Sequence, residues 1–158
     1  MVKIIEGSTD AREMSLAVVV SRFNESVSAR LLEGALKALG RAGAADDRSE
    51  VHWVPGAWEL PLAARRLAAS GRYDAIIALG CVVRGGTPHF EYVSAAAAEG
   101  LARVMLDHDI PLALGVLTCD TLEQAMDRAG GKLGNKGAEA ALSAIEIANL
   151  LRTAGKAD

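Results

Sequence analysis

The sequence predicts an α/β domain built on a parallel sheet with helices on both faces. Short apolar runs of strand length alternate along the chain with stretches of helical periodicity. The run "DAIIALGCVV" (74–83) is apolar almost throughout, as a strand buried on both faces must be. Strand following helix in this order implies right-handed crossovers between parallel neighbours. A chain of 158 residues is most simply one domain spanning 1–158, with length enough for a real core.

The elements follow in order. "LAVVVS" (16–21) is β-branched and reads as the first strand. Val27, Leu31, Leu32, Ala35, Leu36, Leu39 and Ala42 then recur at helical spacing, with Asn24 as N-cap and Gly43 as the stop. "EVHWV" (50–54) is a second strand, ended by Pro55-Gly56, and a helix over 58–67 follows. The third strand is 74–83, and an alanine-rich helix over 90–108 succeeds it. "IPLALGVLT" (110–118) is the fourth strand. Asp120 with Glu123 three residues on predicts a capped helix that ends at Gly130-Gly131, and a last helix runs over 135–152. "VKIIE" (2–6) reads as a further strand with no partner inside the chain, free to pair with a neighbouring subunit. An arm over 1–13 and a tail over 153–158 are expected to be flexible or ordered by an oligomer.

Apolar residues make up 51% before glycine is counted, above the ~45–50% that an average domain reaches with glycine included. Two readings fit the excess: alanine-rich helices, or apolar surface buried between subunits. The net charge of -3 and the absence of a Lys/Arg block speak against a nucleic-acid surface. No apolar run approaches the ~18 residues of a membrane span. The N-terminal segment has no apolar signal-peptide core, so the expected location is cytoplasmic. Cys81 and Cys119 lack metal-type spacing and read as free buried thiols.

Ligands of open parallel sheets bind beyond the carboxyl ends of the strands. Three unusual segments fall there: "RFN" (22–24), "PGAWE" (55–59) and "VVRGGTPHF" (82–90). Gly85, Gly86 and Thr87 before a helix start suit either an ordinary turn or an oxyanion held by backbone N–H groups. His89 beside them is a candidate proton-transfer residue, or a solvated histidine at a helix start. Glu59 serves either a helix dipole or a ligand, and Phe23 and Trp58 either a core or a stacking surface. His52 reads as a sheet-face residue and His108 as surface charge. "DRAGGKLGNKG" (127–137) concentrates Arg128, Lys132 and Lys136 at a Gly-rich break, suited to phosphate or simply solvated. No dinucleotide or phosphate-loop glycine fingerprint is present.

Together "SRFNESVSARLLEGA", "VPGAWELPLAARRLA", "YDAIIALGCVVRGGTPHFEYV" and "GVLTCDTLEQAMDRAGGKLGNKGAEAALSAIEI" resemble, in that order, the lumazine synthase family. The resemblance covers roughly residues 15 to 152. It implies a flavodoxin-like three-layer sandwich on a four-stranded parallel sheet. It also implies condensation of 5-amino-6-(D-ribitylamino)uracil with 3,4-dihydroxy-2-butanone 4-phosphate in riboflavin biosynthesis. Phosphate and water are released, and neither metal nor organic cofactor is needed. His89 would move protons, and Phe23, Asn24, Ala57, Trp58, Glu59, Val82 and Val83 would hold the uracil and ribityl chain. Gly86, Thr87 and Arg128 would hold the phosphate. Lys136 would lie nearby, and Glu139 would sit where it can pair with His89. Arg128, Lys136 and Leu114 would come from an adjacent subunit of a five-membered ring.

The family includes pentamers, decamers and sixty-subunit shells. The short "GGKLGN" break without insertion points to a shell, with riboflavin synthase a possible companion. An alternative on the same fold is a catalytically silent shell-forming or flavin/lumazine-binding protein. Three features depart from the family pattern: Ala95-Ala96 replace a common Asn-Glu pair, Leu114 a common Phe, and Gly86 a frequent Glu or Ala.

Overall fold

The computed structural model describes residues 1–156. Four parallel strands, β1 (Leu16–Ser21), β2 (Ser49–Val54), β3 (Ala75–Val83) and β4 (Leu112–Cys119), stand in the order β2-β1-β3-β4. Helices α1 (Glu25–Arg41) and α5 (Lys136–Thr153) cover one face, and α2 (Leu60–Ala69) and α3 (His89–Asp107) the other. This is the flavodoxin-like sandwich. Alternation along β1 explains both cores: Leu16, Val18 and Val20 face α1 and α5, while Ala17 and Val19 face α2 and α3. Both central strands are buried along nearly their whole length, which is why they read as unbroken apolar runs. No helix among the described residues is long and apolar enough to cross a membrane.

From β1 the chain moves outward through α1 to β2, then returns through α2 past β1 to β3. The two central strands therefore send their chains to opposite faces. A crevice opens between their carboxyl ends.

Several local expectations change. The helix expected from 58 begins at Leu60, because residues Ala57–Glu59 form a 3-10 turn. The helix cap is Thr121, not Asp120: its hydroxyl accepts from Gln124 N at 3.2 Å, and Gln124 Oε1 accepts from Asp120 N. That helix, α4 (Leu122–Asp127), stops before the glycines. They instead form a small antiparallel hairpin of β5 (Ala129–Gly131) and β6 (Gly134–Asn135). Residues 2–6 form no strand within the chain, and Val2 and Ile4 are exposed.

From Ser8 on, the N-terminal segment runs along α5, where Asn149 Nδ2 donates to Ser8 O and Asp10 O. Ala11 and Met14 are fully buried beyond it. α5 ends at Thr153, and residues 157–158 of the expected tail lie outside the described residues.

"GNKG" fixes the joint between α1 and α5. Asn135 Oδ1 accepts from Gly137 N at 2.9 Å and Ala138 N at 3.1 Å, capping α5, while its Nδ2 donates to Arg30 O at 3.0 Å. The helices approach so closely that a Cβ on Gly137 would lie 2.0 Å from Leu31 O. Gly40, also helical, has nothing within 4 Å of such a Cβ. Gly137→Ala should therefore destabilise the protein by about 2–3 kcal/mol through backbone displacement. Gly40→Ala should stabilise it by about 0.5 kcal/mol through reduced unfolded-state entropy. Urea denaturation at fixed protein concentration checks both signs.

Candidate functional site

The crevice is a cleft of about 900 Å³ lined by three loops and the start of α3. The loop after β1 is stitched to the loop after β2, since Arg22 N donates to Val54 O and Phe23 N to Pro55 O. Glu59 Oε2 accepts from Gly56 N at 3.0 Å, closing the "PGAWE" turn over one face of the carboxylate. The remaining lone pairs stay open to the cleft that Glu59 lines.

Asn24 occupies the N-cap position of α1, but its side chain does not cap. It adopts left-handed backbone angles (φ 62, ψ 47), and its Nδ2 donates to Cys81 O at 3.0 Å. The side chain thus spans the crevice and fastens the β1 loop to β3. Asn tolerates this conformation better than most residues, so the strain is small, on the order of 1 kcal/mol.

Of the sequence-derived candidates, Phe23, Asn24, Ala57, Trp58, Glu59, Val82, Val83, Thr87 and His89 all line this cleft. Gly85 lines it too, with Gly86 next along the loop. Phe23 is 73% and Trp58 62% exposed, so neither ring is used by the core of the single chain. Tyr92, which the sequence reading left unassigned, also lines the cleft and is 71% exposed. Its signal was the three-residue spacing from His89, which places both on one face of α3 once that helix starts at His89. The chain holds two Phe, two Trp and two Tyr. Four of those six rings (Phe23, Trp58, Phe90 and Tyr92) gather here, an arrangement suited to stacking on a flat ligand.

The glycine loop differs from a strict anion nest. Among the described residues neither Gly85 nor Gly86 has positive φ, so the alternating backbone of a nest is absent. What remains is the helix start. No side chain caps α3, and among the described residues no acceptor takes the N–H groups of Gly85, Gly86, Thr87, His89 or Phe90. Five free donors and the positive end of a 19-residue helix can receive an oxyanion. A Cβ at Gly86 would meet nothing within 4 Å, so the family's Ala there fits without strain.

Leu114, Arg128, Lys136 and Glu139 stand apart from this cleft. Leu114 lies mid-way along β4, opposite Ala78, and is 47% exposed. Arg128 Nη1 donates to the backbone O of Gln124 at 3.0 Å. Lys136 and Glu139 are exposed in the first turn of α5, and Glu139 makes no ion pair with His89 among the described residues. Arg84, given no role by the sequence reading, carries contacts to Asp120, Glu91 and Phe90. No cluster of three His, Cys, Asp or Glu among the described residues could hold a metal ion.

Cys81 lines the cleft with its thiol in the core, and burial raises that thiol to about 12, with Cys119 nearby adding to the shift. Burial also raises Cys119. Both stay protonated at pH 8 and lack the thiolate needed for attack. Ellman's reagent at pH 8 should therefore find neither thiol within minutes in native protein, and both in denaturant. Rapid native labelling of Cys81 would contradict the packing described for β3.

A family model for 6,7-dimethyl-8-ribityllumazine synthase matches residues 13–152. The match runs from just before β1 to the last turn of α5, taking in every segment that lines the cleft. It supports a role in riboflavin biosynthesis, small-molecule substrates and assembly from identical subunits. With that match across a flavodoxin-like fold, the chain belongs to the 6,7-dimethyl-8-ribityllumazine synthase family.

Proposed function

We propose that the protein is a transferase that condenses 5-amino-6-(D-ribitylamino)uracil with 3,4-dihydroxy-2-butanone 4-phosphate to 6,7-dimethyl-8-ribityllumazine, releasing phosphate and water. The observation that carries this is the convergence of unoccupied aromatic rings, Glu59, His89 and an uncapped helix start on one cleft.

In this reading Phe23 stacks on the pyrimidine, and Asn24, Ala57, Trp58 and Glu59 hold the ring and ribityl chain. Val82 and Val83 add contacts from β3. The phosphate sits at the start of α3 near Gly86 and Thr87. An amine of the uracil attacks the ketone and loses water to give an imine. A proton leaves C3 as the phosphate departs with its C–O electron pair, the enol so formed becomes a ketone, and the ribitylamino nitrogen closes the ring on it with loss of a second water. His89 gives and accepts protons in these steps. Donors aimed at the departing phosphate stabilise the charge it gains. Both substrates are reactive, so orientation supplies much of the acceleration. No protein nucleophile is required.

Arg128, Lys136 and Leu114 lie off their own chain's cleft, and we assign them to a neighbour's. There Arg128 completes the phosphate site, and Glu139 reaches His89 only across that interface. Exposed apolar side chains such as Trp53, Leu62 and Leu106 are consistent with burial between subunits. We infer a ring of five and, from the uninterrupted Gly130–Asn135 hairpin, a shell of sixty.

Lumazine absorbance and fluorescence follow the reaction directly. Arg128→Ala should raise KM for the butanone phosphate ~10–100-fold while changing KM for the uracil little. His89→Ala should lower kcat by ~100-fold or more with the assembly intact. A correctly assembled wild type that makes no product above the uncatalysed rate would refute the enzyme.

A further inference from the structure

Arg84 is the first residue past β3. Its backbone N–H donates to Cys119 O at 2.9 Å, extending the β3–β4 pairing by one step. Its side chain then joins two further segments. Nε donates to Asp120 Oδ1 at 2.8 Å, and Nη1 to Glu91 Oε1 at 3.2 Å. The guanidinium carbon lies 4.4 Å from the centre of the Phe90 ring. Phe90 and Glu91 directly follow His89 in the first turn of α3.

That first turn has little else to hold it. Pro88 at the N-cap position offers no side-chain acceptor, so the turn depends on the packing of Phe90 and Val93 and on Arg84. Charge matters as much as geometry. Glu91 and Asp120 would otherwise leave two carboxylates beside the helix start that faces the cleft, and an arriving anion would be repelled. Exposed ion pairs one at a time contribute little. Here one planar fork serves two carboxylates and an aromatic face together, which a lysine cannot reproduce.

We propose that Arg84 is a positioning residue for the anion end of the cleft: it fixes the first turn of α3 against the loop after β4 and cancels the two carboxylates flanking it. The proposal rests on the substrate reading above, because it takes the anion at this helix start to be a phosphate. Uracil binding depends on it far less, since Phe23 and the "PGAWE" turn are held by β1 and β2 and Asn24 by Cys81 O within β3.

The test compares wild type, Arg84→Met, Arg84→Lys and Arg84→Met combined with Glu91→Gln. It uses steady-state kinetics for both substrates, calorimetric titration with inorganic phosphate, and a check of assembly. Arg84→Met keeps an apolar stem of similar length but removes the guanidinium, and should raise KM for the butanone phosphate ~10-fold, with KM for the uracil within about twofold. The dissociation constant of inorganic phosphate should rise by the same factor, and Arg84→Lys should fall between. Glu91→Gln should restore part of the loss in the Arg84→Met background, which a purely structural defect would not allow.

Equal movement of both KM values, unchanged phosphate affinity, or no recovery with Glu91→Gln would each overturn the proposal. If wild type makes no lumazine but binds phosphate, and Arg84→Met weakens that binding, the substrate reading fails while the positioning role stands. If wild type neither turns over nor binds phosphate, both fail.

Discussion

The site depends on the adjacency of β1 and β3. These strands are neighbours in space but not in sequence, and both are sealed between helix layers. Their chains must leave on opposite faces, so their carboxyl ends cannot be covered by either crossover. The cleft is lined by the end of β3, the start of α3 and the loops this reversal leaves open: "RFN" from β1, "PGAWE" from β2 and the approach to α3 from β3. The hydrogen bond from Asn24 to Cys81 O ties the two sides of the reversal together.

Within one chain the cleft is chemically uneven. Its walls are rich in exposed aromatic surface and backbone donors, but among the described residues no Lys or Arg lines the cleft. Arg84 is occupied with Glu91 and Asp120, and Arg128 lies elsewhere. A dianionic substrate would gain from a further positive charge, and the proposed neighbour's Arg128 would supply it. The same division would explain why a small α/β domain leaves so many large apolar side chains uncovered.

Much of the fold was legible because burial writes directly into composition. β1 and β3 are apolar without alternation, and the α1 stripe ends in a chain reversal at Gly43. The edges were harder to read. The antiparallel hairpin around Gly130 has too few residues for any periodicity. Thr121 replaced Asp120 as the cap because either residue type can cap, and local sequence does not say where the backbone turns helical.

The cleft residues were legible for a different reason: position at strand ends, reinforced by the family resemblance. Tyr92 was missed because the start of α3 was placed one residue late, which hides the face it shares with His89. Arg84 was missed because its role lies in two distant carboxylates, one of them on another loop. Asn24 was read both as a helix cap and, from the resemblance, as a residue holding the uracil and ribityl chain, and only the three-dimensional path shows its side chain turned across the crevice to Cys81 O.

The central claim is that each active site is completed by two chains, one contributing His89 and the cleft, the other Arg128. Mixing Arg128→Ala and His89→Ala subunits, with dissociation and random reassembly, tests it most directly by lumazine formation at butanone phosphate well below KM, where both variants are impaired. Sites formed across subunits would include some with both residues intact, and a one-to-one mixture should recover about a quarter of wild-type activity. If both residues served the same site from one chain, no reassembled site would be whole. Activity would then stay at the mean of the two impaired variants, and the account would be wrong.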